Sequence, residues 1–227
     1  MPYVLILLLL LGLFFGPGLW ARYTFKRYST PRKDIPGTGG ELARHLLDRF
    51  GMQSYQVEVA GAEGDHFDPN SNTVRLSQDN YAGTSLTAVA VAAHEVGHAI
   101  QHQRGEHKLK LRTRLAQTAN AAQKIGAVVI LFAPVVALLS RAPSVMVLQI
   151  ILGLGTMLLA TVVHLVTLPV EFDASFGKAL PILKEGYVQP RDLPKIKRIL
   201  RAAALTYVAA SLSSLLSLGR WIAILRR

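Results

Sequence analysis

Cysteine is absent from all 227 residues. No disulfide and no thiolate zinc site is available, and the redox compartment cannot be read. Charge is scarce as well: 17% of residues are charged against 51% hydrophobic, too apolar for an ordinary soluble domain of this length. Acidic residues are the rarer sign, 14 against 25 Lys and Arg, for a formal net charge of +11. That excess does not indicate nucleic acid, because no nucleic-acid-binding motif accompanies it and the cations mostly flank apolar runs. Placement beside lipid head groups is the better account. Nothing basic precedes the first apolar run, Pro2 to Trp20, whereas Arg22, Lys26, Arg27, Arg32 and Lys33 follow it. A cleaved signal peptide carries the opposite arrangement, so residues 1–21 read as an anchor with its N-terminus outside and the following domain cytoplasmic.

What is present centres on His94-Glu95-Val96-Gly97-His98. Residues four apart on an α-helix lie one turn up and about 40° round, so His94 and His98 share a face that can bind one zinc ion. Glu95 stands about 100° further round, beside the metal without ligating it. Zinc lowers the pKa of a bound water, and an adjacent carboxylate can take the proton. Thr84 or Ser85 can cap this helix, Leu86 to Gln103 contains no proline, and Gly105 is a plausible stop. The apolar flanks Ala90-Val91-Ala92-Ala93 and Ala99-Ile100 predict a buried helix with its metal face open.

Residues 22–124 are therefore expected to form a cytoplasmic zincin-like catalytic region, its H-E-x-x-H helix at about 85–103. An amphipathic helix is expected within Gly37 to Gly51, from Leu42, Leu46 and Phe50. Val57 and Val59, then Val74 and Leu76, predict two strands of a hairpin turning near Asp68-Pro69-Asn70-Ser71-Asn72. Such a strand edge can hold an extended substrate. Residues 125–170 read as a transmembrane helical hairpin and 171–202 as a cytoplasmic segment. Residues 203–227 read as a further apolar helix, favoured as a fourth span.

A catalytic zinc usually takes three protein ligands. Only Glu106, Glu171, Asp173, Glu185 and Asp192 supply carboxylates after the motif. The metzincin pattern is excluded, because Gln101 and Arg104 stand where it needs glycine and histidine. Two crossings lie between His98 and Glu171, so the chain returns to the same side and Glu171 is the expected third ligand. Asp173 is the alternative, or else a partner for a ligand imidazole's free N–H. For an oxyanion donor His66, Tyr81, Arg75 and Tyr207 are candidates, and the sequence does not choose among them.

The segment Ala92 to His102, with Thr167-Leu168-Pro169-Val170-Glu171-Phe172-Asp173-Ala174-Ser175, resembles the bacterial YugP-type membrane zinc metallopeptidases. Asp65 to Pro69, Val74 to Ser77 and Ala203 to Val208 match as well, so the resemblance runs over nearly the whole chain. It implies a multi-pass inner-membrane protein with a gluzincin-like site of two His and one Glu, distantly related to membrane quality-control proteases. Those relatives typically carry an Asp four residues after the ligand Glu; here Ser175 stands there.

The expected whole is a mainly α membrane protein, with transmembrane helices and a small α+β catalytic domain. It would be a zinc endopeptidase acting on flexible or unfolded segments, including those of membrane proteins, with Glu95 as general base and then acid. A site-2-type intramembrane protease would need a downstream Leu-Asp-Gly, which is missing. A non-enzymatic zinc-stabilised scaffold has no need of Glu95.

Overall fold

The computed structural model describes residues 2–140 and 143–206 of the chain. Its first helix, α1, runs Pro2–Arg27. Helix α2, Gly39–Arg49, opens on a capping box: Thr38 accepts from the Glu41 backbone, and the Glu41 side chain accepts from Thr38 N–H. Strands β1 (Gln56–Val59), β2 (His66–Asp68) and β3 (Thr73–Leu76) follow, then a single turn of helix, α3, Gln78–Tyr81. Helix α4 spans Leu86–Gln103, α5 His107–Ser140 and α6 Pro143–Phe172. A seven-residue π-helical segment, Asp173–Ala179, continues α6 into α7, Leu180–Lys184. One 3₁₀ turn at Pro190–Asp192 leads into α8, described over 193–206.

The buried core is built around α4. Ser85 caps it, accepting from Ala88 N–H at 3.1 Å. At the other end Gly105 takes φ 63°, which lets Glu106 N–H reach back to the Gln101 carbonyl and Gly105 N–H to that of His102. From Leu86 to Gln101 every residue is buried. Leu46 and Leu47 of α2, Val74 and Leu76 of β3, Leu183 of α7, and Ile196, Ile199 and Leu200 of α8 complete the core around it. The C-terminal end of α1 is tied to the start of α4, where Thr87 Oγ1 donates to the Phe25 carbonyl at 2.9 Å.

Two expectations are corrected. The strands at 57–59 and 74–76 do pair, but in parallel; the hairpin is β2 with β3, turning at Asp68 to Asn72, and the sheet order is β1-β3-β2. Residues 60–65 carry the chain back before β2 begins, and two-residue alternation reports a strand's faces, not its direction. The sheet thus has β2 at its edge, beside α4.

The second correction concerns the transmembrane helices. Among the described residues no helix is long and apolar enough to cross a membrane. The apolar runs do not end as separate elements but continue into helices that serve the packed domain. Helix α1 extends through Arg22, Lys26 and Arg27, and α5 begins with Lys108, Lys110, Arg112 and Arg114. The C-terminal end of α6 buries Thr167, Val170 and Glu171 within the protein. Helices α5 and α6 do pack together as a long hairpin, and it returns the chain to α4. Of residues 203–227, expected as a fourth span, those from 207 onward lie outside the described residues.

Candidate metal centre

Helix α4 places His94 and His98 one turn apart, their rings in edge contact with centroids 4.8 Å apart. Opposite them the end of α6 brings in Glu171, 1% exposed. Its Oε2 lies 3.2 Å from Nε2 of His94 and 3.2 Å from Nε2 of His98. Close approach of the two chain segments depends on Gly97. A Cβ there would lie 2.7 Å from the carbonyl oxygen of Ala174 in the π segment. The widened π turn then directs Asp173 and Ser175 back towards α4, as such insertions commonly do at functional sites.

Ser175 Oγ donates to the Leu200 carbonyl of α8 at 3.1 Å, so its oxygen is left to accept from His94 Nδ1 at 3.0 Å. A neutral His94 held in this way presents an unprotonated Nε2 to Glu171. Two lone-pair-bearing atoms in contact inside a buried site call for a cation between them. Glu171 Oε1 is also buried and has no hydrogen-bond partner. The three ligand atoms lie within 4.8 Å of one another. Tetrahedral zinc with bonds of ~2.0–2.1 Å sets its ligands ~3.3 Å apart, which the 3.2 Å contacts match. Buried His94, His98 and Glu171 can therefore bind a metal ion, and this nitrogen–oxygen set suits zinc.

The two carboxylates of the site are driven in opposite directions. Burial pushes Glu171 up, but the charge and Nε2–H of the imidazoles when they are protonated, His98 foremost, hold it well below the usual carboxylate range. Burial pushes Glu95 up to about 7; His94 and a hydrogen bond from the Phe67 backbone oppose the rise, and Glu171 adds to it.

A cleft of about 860 Å³ opens over the centre. Phe25, Val91 and Leu109 give it apolar wall, while Asp65, His66 and Phe67 line the β2 side, and Ala203 and Thr206 the α8 side. Asp65 fastens the approach to β2, accepting from Ser77 N–H at 2.6 Å and from Asn80 Nδ2 at 2.8 Å. Of the expected oxyanion donors, His66 lines the cleft, with Nδ1 donating to the Gly64 carbonyl at 2.8 Å. Arg75 does not reach it; its guanidinium is held across the sheet by Asp68 at 2.8 Å and Glu58 at 3.3 Å. Tyr81 packs against α2 at Gly40, and Tyr207 lies outside the described residues.

Asp173 does not contact an imidazole. It accepts from Gln101 Nε2 at 2.8 Å and from Lys178 Nζ at 2.8 Å, and Gln101 Oε1 meets His98 Nδ1 at 2.9 Å. Glu106 is taken by Lys178 at 3.0 Å and stands clear of the metal cluster. Gln101 and Ser175 are the site residues that sequence reasoning missed. Spacing held the signal: Gln101 is one turn beyond His98, and Ser175 follows Glu171 by four.

The comparisons with known proteins agree with this chemistry. The family described as "Putative neutral zinc metallopeptidase" matches residues 3–226. "Putative membrane protease YugP" of Bacillus subtilis (strain 168) is 37% identical over 227 residues, covering 99% of this chain and 96% of that protein. No solved structure matches. With a buried His–His–Glu cluster of zinc-binding type and a match over nearly its whole length, the chain belongs to the neutral zinc metallopeptidase family.

Proposed function

We propose that this protein is a zinc-dependent endopeptidase in which His94, His98 and Glu171 hold the metal and Glu95 moves the protons. The reading rests on one observation: Glu171 Oε2 stands 3.2 Å from both Nε2 atoms while its Oε1 is buried and unpartnered. Zinc, when bound, supplies Lewis acidity towards a scissile carbonyl and acidity to a water. Glu95 is buried beside the cluster without being one of its three ligands. From that position its carboxylate can take a proton and return it to a leaving amine. The edge strand β2, lining the cleft, would hold a peptide segment in extended form.

Extended, unfolded stretches of polypeptide are the substrates that such an edge accepts. Location at a bacterial membrane is carried over from the relative's description. Fractionation of cells into membrane and soluble pools tests that location.

The deciding experiment measures zinc content and casein cleavage on the purified full chain. Wild type should carry one zinc and cut, and Glu95→Gln should keep the zinc while cleavage falls by about 10²–10⁴-fold. A wild type that holds zinc and cleaves no unfolded chain would favour the zinc-stabilised scaffold instead.

A further inference from the structure

Resting on that zinc site, we infer that Gln101 is a positioning residue that fixes His98 as the Nδ1–H tautomer and aims its Nε2 at the metal. Gln101 is 1% exposed, and all its polar atoms are engaged. Its Nε2 donates one hydrogen to the Val170 carbonyl at 3.0 Å and the other to Asp173 Oδ2 at 2.8 Å. A flipped amide would set its carbonyl oxygen against those two acceptors, so the orientation is settled by its surroundings. Oε1 is then the atom that faces His98 Nδ1 at 2.9 Å, and a carbonyl oxygen can only accept. His98 must carry its proton on Nδ1, which leaves the Nε2 lone pair for the metal.

Position in the chain makes this more than a passive contact. Gln101 lies three residues after His98, on the neighbouring turn of the same helix face. Val170 and Asp173 flank the third ligand, Glu171. One amide thus spans from the second imidazole to both sides of the carboxylate, tying α4 to the junction of α6 and the π segment. Asp173 is itself held by Lys178, which is paired with Glu106, so the anchor of the amide cannot swing away. Asp173 therefore acts on His98 through Gln101.

Gln101→Met keeps length and removes both functions of the amide. Two readouts are used, neither involving peptide cleavage: zinc affinity by competition with a chelator, and ring ¹⁵N shifts of His98 in the metal-free full chain. Gln101→Met should lose about 10–100-fold in zinc affinity and show mixed tautomers at His98. Asp173→Ala should shift both in the same direction by less. The double variant should be no worse than Gln101→Met alone, because both act along one path. Wild-type affinity with an unchanged His98 ring in folded Gln101→Met would overturn the inference, as would simple additivity in the double variant. If Gln101→Met does not fold, Asp173→Ala decides, and wild-type values of both readouts there overturn it. A wild type that binds zinc and cuts nothing would overturn the enzyme reading alone.

Discussion

The two walls of the metal centre present the same residue type in opposite states. On the α6 side Glu171 faces two imidazoles whose outer nitrogens are held by Ser175 and Gln101, and protonated rings there keep it anionic although buried. On the β2 side Glu95 is also buried, but there burial dominates and its carboxyl is pushed up to about 7. Burial alone therefore does not decide a carboxylate's role. What decides it is whether positive or hydrogen-bonding partners converge on its oxygens. One carboxyl follows the partners around its oxygens, the other follows its burial.

The sharpest way to break this contrast is Glu171→Ala. Loss of a direct ligand should lower zinc affinity by more than the ~10–100-fold that follows loss of an outer partner, and cleavage should disappear with the metal. Full zinc content by equilibrium dialysis, with activity intact, would place the third ligand elsewhere.

Glu95 offers the converse test in metal-free protein. Its raised pKa means the fold binds a proton that the unfolded chain has already released between about 4.5 and 7. Wild-type stability should fall with rising pH across that window, because the folded state there holds more protons than the unfolded state. Glu95→Gln removes this dependence. Denaturant titrations should show the variant gaining on wild type from near equality at pH 4 to about 3 kcal/mol above pH 7. A gap independent of pH would mean that Glu95 is not shifted.

Gly97→Ala probes the seam between the two segments that supply the ligands. Its Cβ would meet the Ala174 carbonyl at 2.7 Å, so α4 and the π segment must part. A loss of about 1–3 kcal/mol is expected, with weakened zinc binding, since Glu171 is carried on the displaced segment. Unchanged thermal unfolding and zinc affinity would show that the seam yields freely.

The smallest effect belongs to Ser85→Ala, which removes the cap of α4 and should lose about 1 kcal/mol with zinc affinity unaltered. A fall in zinc affinity there would mean that the cap reaches the site. The helix would then transmit strain along its length.

Legibility in the sequence followed the range of the interaction. Helix α4 could be read to its ends because Ser85, the proline-free run and Gly105 are local signals. So was the turn at Asp68 to Asn72, where Asp68 accepts from Asn70 N–H at 2.9 Å. Which strand that turn serves was not legible, because pairing partners are chosen across the sheet. The apolar runs were over-read as spans: hydropathy along a segment does not reveal that α1, α5 and α6 also have ends packed into the domain. Nor could the π segment be foreseen, since its residues are equally compatible with an α-helix.

The sequence alone determined which atoms could meet a metal on one helix face, because four-residue spacing and 3.6-residue periodicity are covalent consequences of a helical backbone. It also determined that no thiolate could take part. Only the tertiary structure decided that Glu171 would complete the cluster, that Ser175 and Gln101 would hold the two rings, and that Glu95 would be shifted while Glu171 is held down. Those outcomes depend on segments about 70–80 residues apart closing at Gly97. Local chemistry proposes such a contact, and only packing can deliver it.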